Sequence, residues 1–252
     1  MKVLFLALSI IALPAEAIVN LEDLHTRDFE EGFTGALGLD LDGASGNSDM
    51  NTIHLNGQLH WQKALHSNIV LLSYSYGEAN AQVNTDNAFA HLRHIQHIHS
   101  HYSWEVFTQL QNDHFARLSL RSLWGGGIRY KLSQGDNSYI YGVGTFYERE
   151  RLSRQSSTYL EPTTSNDWRA NLYMIVGHKL NEQSHLYATL YHQPKLQEAV
   201  DYRVLLQSGI KVVVATNLNL HVGIDIKYDS RPPTTVEDYD FNYRSGLEYR
   251  FD

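Results

Sequence analysis

The apolar residues of this chain recur at every second position over most of its length, which is the period of a β-strand. The clearest example is the segment 218–229, LNLHVGIDIKYD, in which one set of alternate positions is apolar and the other is polar or glycine. Residues 239–251 follow the same rule up to the end of the chain. No helical period competes with this pattern, so we predict an all-β fold.

Twelve such segments are predicted as strands, and many exceed the five or six residues usual in globular sheets. Their lengths match the roughly 9–11 residues that a tilted strand needs to cross a bilayer. Connections after even-numbered segments are short, whereas those after odd-numbered segments tend to be longer, which is typical of bacterial outer-membrane barrels. We predict a transmembrane antiparallel up-and-down β-barrel of about 12 strands over residues 32–252, with both termini periplasmic. The predicted strands are 32–42, 51–63, 68–79, 86–98, 102–112, 117–132, 137–150, 166–180, 184–193, 200–215, 217–229 and 239–251.

A soluble sandwich or lipocalin-like barrel would show the same alternation, with the apolar face turned inward instead of outward. Three features favour the membrane barrel. Bulky charges occupy the polar face of nearly every strand, glycines interrupt that face without apolar filler, and Tyr and Trp stand at strand ends like interfacial girdles. The mean hydropathy of −0.37 fits this interpretation because only alternate residues would face lipid.

The first 17 residues, MKVLFLALSIIALPAEA, have one Lys, a short apolar run and a small-x-small ending. This pattern is typical of a secretory signal peptide, and the run is too short for a spanning helix. We interpret residues 18–31 as an N-terminal periplasmic segment. The sequence therefore predicts location in the outer membrane of a Gram-negative bacterium, with outer-membrane lipid and, during biogenesis, the outer-membrane assembly machinery as partners.

Composition excludes several classes of function. Lys and Arg total 20 against 28 Asp and Glu, a formal net charge of −8, so nucleic acid is not an expected partner. Cysteine is absent, which excludes disulfides and thiolate metal sites. The sequence contains no phosphate-binding loop and no H-E-x-x-H or G-x-S-x-G motif, and we expect no cofactor.

Four short motifs carry a resemblance to a known family. They are GASGNS at 43–48, YSYGE at 74–78, DYR at 201–203 and YDSRPP at 228–233. Together they resemble the salt-induced outer-membrane proteins of Gram-negative bacteria, over roughly residues 32–252. The resemblance implies an outer-membrane barrel, a link to salt or osmotic conditions, and no known catalytic residues to carry over. The last strand also resembles the aromatic-ended assembly signal, although Asp252 follows Phe251 here.

If the polar faces point inward, the lumen holds ten bases and eight acids. This balance predicts cross-strand ion pairs in a narrow barrel, because a selective channel tends to be lined by one sign of charge. We interpret a cluster near the outer mouth as a structural brace or plug, with a gate or a small-solute binding ring as the alternative. The predicted cluster comprises Arg121, Glu148, Glu150, Arg169, Arg203, Asp225 and Lys227.

The histidines invite a metal hypothesis. His97, His99 and His101 would project to one face if they lay on one strand, and imidazoles bind zinc, copper or nickel. However, the outer two would lie roughly 13 Å apart along an extended strand. We favour polar residues at a periplasmic turn and expect no metal.

An enzyme is the alternative class. Some outer-membrane barrels modify lipids as phospholipases or acyltransferases, and His99-Ser100-His101 offers the residue types for nucleophilic catalysis. In a strand, however, Ser100 would point away from both histidines. We therefore expect no enzyme, and predict a structural, envelope-related or narrow-pore role.

Overall fold

The computed structural model describes residues 31–44, 50–153 and 163–251. The predicted signal peptide, and all but the last residue of the segment 18–31, lie outside the described residues. Twelve strands account for most of the described chain. They are β1 Gly32–Ala44, β2 Met50–Lys63, β3 His66–Ala79, β4 Gln82–His97, β5 Tyr102–Asp113, β6 Leu118–Gln134, β7 Asn137–Leu152, β8 Thr164–Lys179, β9 Ser184–Pro194, β10 Tyr202–Ala215, β11 Leu218–Asp229 and β12 Tyr239–Phe251.

The strands form one closed antiparallel barrel in which each strand pairs with its neighbours in the chain. Closure occurs between β1 and β12, where Gly35 to Leu39 pair with Phe251 to Leu247. The prediction of an all-β, twelve-stranded antiparallel up-and-down barrel is confirmed. Across the residues described, the structure has no helix long and apolar enough to span a membrane.

The connections divide the barrel into two ends. The end that carries Gly32, Phe251 and the turns after even-numbered strands is called the terminus end, and the opposite one the long-loop end.

One predicted connection was wrong. The link between β3 and β4 was expected to span 80–85, but it is a two-residue turn with positive φ at Asn80 and Ala81. Such a turn matches the twist of a hairpin and lets pairing run to its tip.

The apolar faces point outward. Leu220, Ile224 and Leu247 are 39%, 37% and 47% exposed, whereas Asp225 beside them is only 3% exposed. A water-soluble barrel would show the reverse, so this exterior is suited to hydrocarbon.

The lumen also contains apolar side chains, which the sequence analysis did not expect. Ile69, Leu71 and Ile95 form one buried cluster on β3 and β4, and Ile140 and Ile175 belong to another on β7 and β8. All five lie in the halves of their strands nearest the terminus end. The alternation missed four of them because their strands are apolar on both faces there, whereas Ile95 lies between His94 and Gln96 in the stretch where the alternation is weak.

We predict that Val143→Arg destabilises the barrel by roughly 2–4 kcal/mol, because Val143 is 64% exposed at the middle of β7, where an outward charge would meet hydrocarbon. The control is Val83→Arg, one residue inside the β3–β4 turn, which should cost roughly 0–1 kcal/mol. The measurement is the free energy of unfolding in lipid vesicles. Equal costs at both positions would contradict the membrane orientation.

Candidate functional site

Glu148 is the centre of a buried ion-pair cluster at the long-loop end. Its carboxylate, on the inner face of β7, accepts a bond from Arg169 Nε on β8 at 3.2 Å and from Arg203 Nη1 on β10 at 2.6 Å. Arg121 Nε on β6 lies 3.5 Å from it. The side chain of Glu148 is 2% exposed, so three guanidinium groups replace the water it has lost.

Arg203 extends this cluster to two more carboxylates. Its Nη2 lies 3.0 Å from Glu150, which also pairs with Arg121 at 2.7 Å, and its Nε donates to Asp229 at 2.7 Å. We call Arg121, Glu148, Glu150, Arg169, Arg203 and Asp229 the mouth cluster. It ties β6, β7, β8, β10 and β11 together across the inner wall.

Of the other two predicted residues, Asp225 lies outside the mouth cluster and Lys227 lies beside it. Asp225 accepts a bond from Gln207 Nε2 at 2.8 Å and pairs with Arg244, four residues nearer the terminus end than Asp229. Lys227 pairs in register with Asp240 on β12 and lines a cavity beside the cluster. Asp229, which does belong to the cluster, stands at the end of β11.

A second buried cluster crosses the lumen below the first. Glu105 on β5 pairs with Arg93 on β4 at 3.2 Å and with Arg129 on β6 at 3.4 Å. Tyr173 on β8 donates its hydroxyl to the other carboxylate oxygen at 2.8 Å. Arg93 also lies over the rings of Phe107 and Tyr173, at 5.4 and 5.8 Å. We call Arg93, Glu105, Arg129 and Tyr173 the floor cluster.

Arg93 was not among the predicted lumen residues, because the alternation around 88–99 is hard to see in the sequence. The structure shows that it continues, with His91, Arg93 and Ile95 buried and Leu92 exposed. The alternation is hard to recognise because Ile95 and His91 share the inner face of β4 with Arg93.

A glycine allows Tyr173 to reach Glu105. The ring of Tyr173 lies flat over Gly142 of β7, where an added Cβ would come within 2.0 Å of it. Glu105 faces a second glycine, Gly127 of β6, in the strand register. The bare backbone at these positions gives the phenol a path across two strands.

A cavity of about 190 Å³ lies between the mouth cluster and the floor cluster. Its lining runs from Pro232 and Pro233 in the β11–β12 connection down to Arg93 and Tyr191. A second cavity, of about 50 Å³, has Asp40, His221 and Glu248 in its lining, and the two share no lining residue. The two cavities are therefore lined by separate sets of residues.

The β11–β12 connection crosses the mouth above this cavity. The carbonyl oxygen of Thr234 accepts a bond from Arg117 Nη1 at 2.5 Å, and Arg117 stands in the β5–β6 connection on the opposite wall. Arg117 Nη2 also donates to the carbonyl of Ser153, beyond the end of β7. This crossing could not be read from the sequence, since the two connections are more than a hundred residues apart.

The structure separates the three histidines of the metal hypothesis. His97 ends β4, and the following residues turn, so the three histidines do not share a strand face as the metal hypothesis required. The two ring nitrogens of His97 contact Ser67 Oγ at 3.1 Å and Ser103 Oγ at 2.9 Å. Over the described ranges, no group of three or more His, Asp or Glu is arranged to hold a metal ion.

The expectation that Ser100 would point away from both histidines is wrong. Because residues 98–101 are a turn, Ser100 Oγ lies 2.9 Å from His101 Nδ1. The His101 ring stacks on Tyr130, with centroids 5.8 Å apart. Both Ser100 and His101 are exposed, and no carboxylate bond to His101 is seen within the part of the chain described.

A family model described as "Protein of unknown function, DUF481" matches residues 37–251. No curated protein is significantly similar to the chain. Among solved structures, the NanC porin is 8% identical with a TM-score of 0.52, covering 86% of this chain and 98% of that one. This likeness shows a shared fold.

Two further barrels are similar at lower TM-score. The translocator domain of the autotransporter NalP from Neisseria meningitidis is 11% identical with a TM-score of 0.47, covering 91% of this chain and 92% of that one. The KdgM porin, in complex with disordered oligogalacturonate, is 12% identical with a TM-score of 0.47, covering 88% and 100%.

We predict that Gly142→Ala destabilises the barrel by about 1–3 kcal/mol, because the new methyl group displaces the Tyr173 ring from the floor cluster. The matched control is Gly57→Ala, where the nearest atom to an added Cβ, Leu37 Cδ2, is 3.6 Å away. Unfolding free energies in detergent micelles compare the two. If both substitutions cost the same, the packing of Tyr173 on Gly142 is not what holds the floor cluster.

Proposed function

We propose that this chain, which belongs to the DUF481 family of proteins of unknown function, is an outer-membrane barrel containing a narrow polar passage that is closed in this conformation. In this proposal the termini are periplasmic, outer-membrane lipid surrounds the apolar exterior, and the assembly machinery inserts the barrel. The apolar exterior and the fold shared with the NanC porin support this placement. The exposed aromatic final strand, ending at Phe251, supports the role of the assembly machinery.

The observation that carries the proposal is the cavity of about 190 Å³ above the floor cluster. Ion-paired side chains from five strands line it together with apolar residues. The ion-paired ones are Arg93, Arg121, Glu148, Glu150, Arg203 and Asp229. Side-chain ion pairs can exchange partners or take up water without breaking the backbone hydrogen bonds of the barrel. Separation of these pairs therefore offers a route for small solutes that leaves the wall intact.

A purely structural envelope role is the other candidate, and the mouth cluster favours it. Arg203 joins carboxylates on β7 and β11, which are not adjacent strands, and such cross-bracing stiffens a barrel. The two roles differ in one measurable property. A brace only holds the wall, whereas a gate controls ion flow.

We expect wild-type protein in planar bilayers to show rare, small openings, and Arg203→Ala to be open at least about tenfold more of the time. The substitution removes contacts to Glu148, Glu150 and Asp229, and a charged hydrogen bond contributes about 1.5–3 kcal/mol. The matched control is Arg231→Ala, which removes an exposed rim pair with Glu198 and should leave the openings unchanged.

Heat-modifiable gel migration first establishes that each variant forms a barrel. A passage is contradicted if folded wild type, Arg203→Ala and a Glu105→Gln floor variant all remain silent. That outcome would leave the structural brace as the function.

Salt dependence provides a second test, and it addresses the proposed link to salt conditions. In the mouth cluster, Arg121 and Asp229 have side chains 19% and 22% exposed, so salt reaches this part of the network. Raising ionic strength from 0.1 to 1 M shortens the Debye length from about 10 to about 3 Å. The open fraction of wild type should rise, and that of Arg203→Ala should change less. If salt changes the open fraction of wild type and of Arg203→Ala equally, the mouth cluster does not sense salt, although the passage itself would stand.

We further propose that the chain does not modify lipids. The contact between Ser100 and His101 supplies a hydroxyl and a base, but nucleophilic catalysis also requires a group that orients the base. Purified protein incubated with phospholipid or lipid A in detergent should release no fatty acid above a Ser100→Ala control. Release that depends on Ser100 would restore the enzyme alternative.

A further inference from the structure

The segment 148–151, Glu-Arg-Glu-Arg, divides its charges between the two sides of the wall. Glu148 and Glu150 are buried in the mouth cluster, whereas Arg149 and Arg151 are exposed on the outside of β7. An outward charge on a membrane barrel is costly unless it lies near the interface or meets a partner. Because Arg149 and Arg151 point away from the lumen, the acidic residues there cannot compensate their charges.

A row of aromatic side chains marks a level on the outer wall from which the position of Arg149 and Arg151 can be measured. Trp124 of β6, Tyr147 of β7 and Trp168 of β8 are adjacent in register. The ring centroids of Trp124 and Tyr147 are 6.1 Å apart, and those of Tyr147 and Trp168 are 5.5 Å apart. Trp and Tyr concentrate where lipid headgroups begin, so this row indicates the edge of the hydrocarbon on this side.

Arg149 and Arg151 lie two and four residues beyond that row, toward the long-loop end. At about 3.3 Å per residue on a strand tilted by about 40°, they stand about 5 and 10 Å above the aromatic rings. The headgroup layer is about 5–8 Å thick on each side, and arginine side chains are long enough to bend back into it. Both guanidinium groups therefore reach headgroup level.

The described residues that pair in register with the two arginines are uncharged. Arg149 pairs in register with Ser122 and Asn166, and Arg151 with Leu120 and Thr164. In the described ranges neither arginine forms an ion pair with a carboxylate. The Oδ1 atom of Asn166 accepts a bond from Tyr147, which leaves its amide NH₂ as a further donor at the same level. Among the residues that the structure describes, the patch has several donors and no anion of its own.

We propose that Arg149 and Arg151 form an external site for the phosphate of a lipid A-type glycolipid in the surrounding leaflet. Arginine binds phosphate oxygens through paired N–H groups, and residues two apart on one strand face are about 7 Å apart, which allows both to approach one phosphate. The protein carries a net charge of −8, so this basic pair is a local feature. The inference rests on the proposed outer-membrane placement, with the long loops outward.

The test uses the whole protein in micelles of a neutral detergent, titrated with lipid A, and the readout is the apparent affinity obtained from the rise in melting temperature. Wild type should bind lipid A more tightly than phosphatidylcholine. Arg149→Gln/Arg151→Gln should weaken lipid A binding by about tenfold or more, since a charge-assisted bond contributes about that factor.

The matched control, Lys63→Gln/Lys179→Gln, makes the same change of charge at the terminus end and should bind lipid A like wild type. If the control loses as much affinity as the arginine variant, the effect is general electrostatics and the site is wrong. Arg149→Lys/Arg151→Lys keeps the charge without the paired N–H geometry. It should bind with intermediate affinity, and it provides a readout if the glutamine variant fails to fold.

Two further arms separate the remaining outcomes. Equal stabilisation of wild type by lipid A and phosphatidylcholine would overturn the phosphate site while leaving the membrane placement intact. Stabilisation by inorganic phosphate to the same extent as lipid A would assign the patch to a soluble anion and overturn the lipid proposal. If neither lipid stabilises the wild-type protein relative to detergent alone, the proposed placement itself fails.

Discussion

Each strand of this protein pairs on both sides, and the structure depends on that unbroken lateral hydrogen bonding. A closed sheet leaves no edge, so its backbone polar groups can enter hydrocarbon without an unsatisfied donor or acceptor. Closure also fixes where the side chains go. In the barrel proposed here the apolar face is turned to lipid, so the charged side chains of the inner face must find their partners in an interior only twelve strands around.

The interior meets this requirement at two buried glutamates by surrounding each carboxylate with several donors. Glu105 is shared by two arginines and a tyrosine, and Glu148 by three arginines. A carboxylate withdrawn from water needs this many contacts, because a single pair seldom offsets the loss of hydration. Glycine is equally necessary. Tyr173 reaches its partner only because Gly142 has no side chain in its path.

Much of this architecture can be predicted from the sequence, because a period of two places residues on faces with little ambiguity. Strand number, closure and the inward direction of Arg121, Glu148 and Arg203 all follow from counting. The depth of each side chain in the lumen and the identity of its ion-pair partners do not follow from the sequence. Asp225 and Asp229 lie on the same face of β11, yet only Asp229 reaches the mouth cluster, since strand tilt and side-chain reach decide the contacts.

Where both faces of a strand are apolar, or a histidine replaces a charged residue, the alternation no longer shows which face points inward. Arg93 escaped prediction for this reason, and so did Ile69 and Leu71. The bond between Arg117 and Thr234 could not be predicted for a different reason. It joins two irregular connections across the mouth, and periodicity carries no information about the paths of such segments.

The alternating charges of 148–151 constrain how the gene for this protein can change. A slip of one residue in β7 would turn both glutamates toward lipid and both arginines toward the lumen, exchanging every charge with its opposite at once. Single-residue insertions or deletions should therefore be absent from β7 in evolving descendants, while the connections at either end accept them. The chemistry of four consecutive side chains thus gives a physical reason for length variation to be confined to the loops.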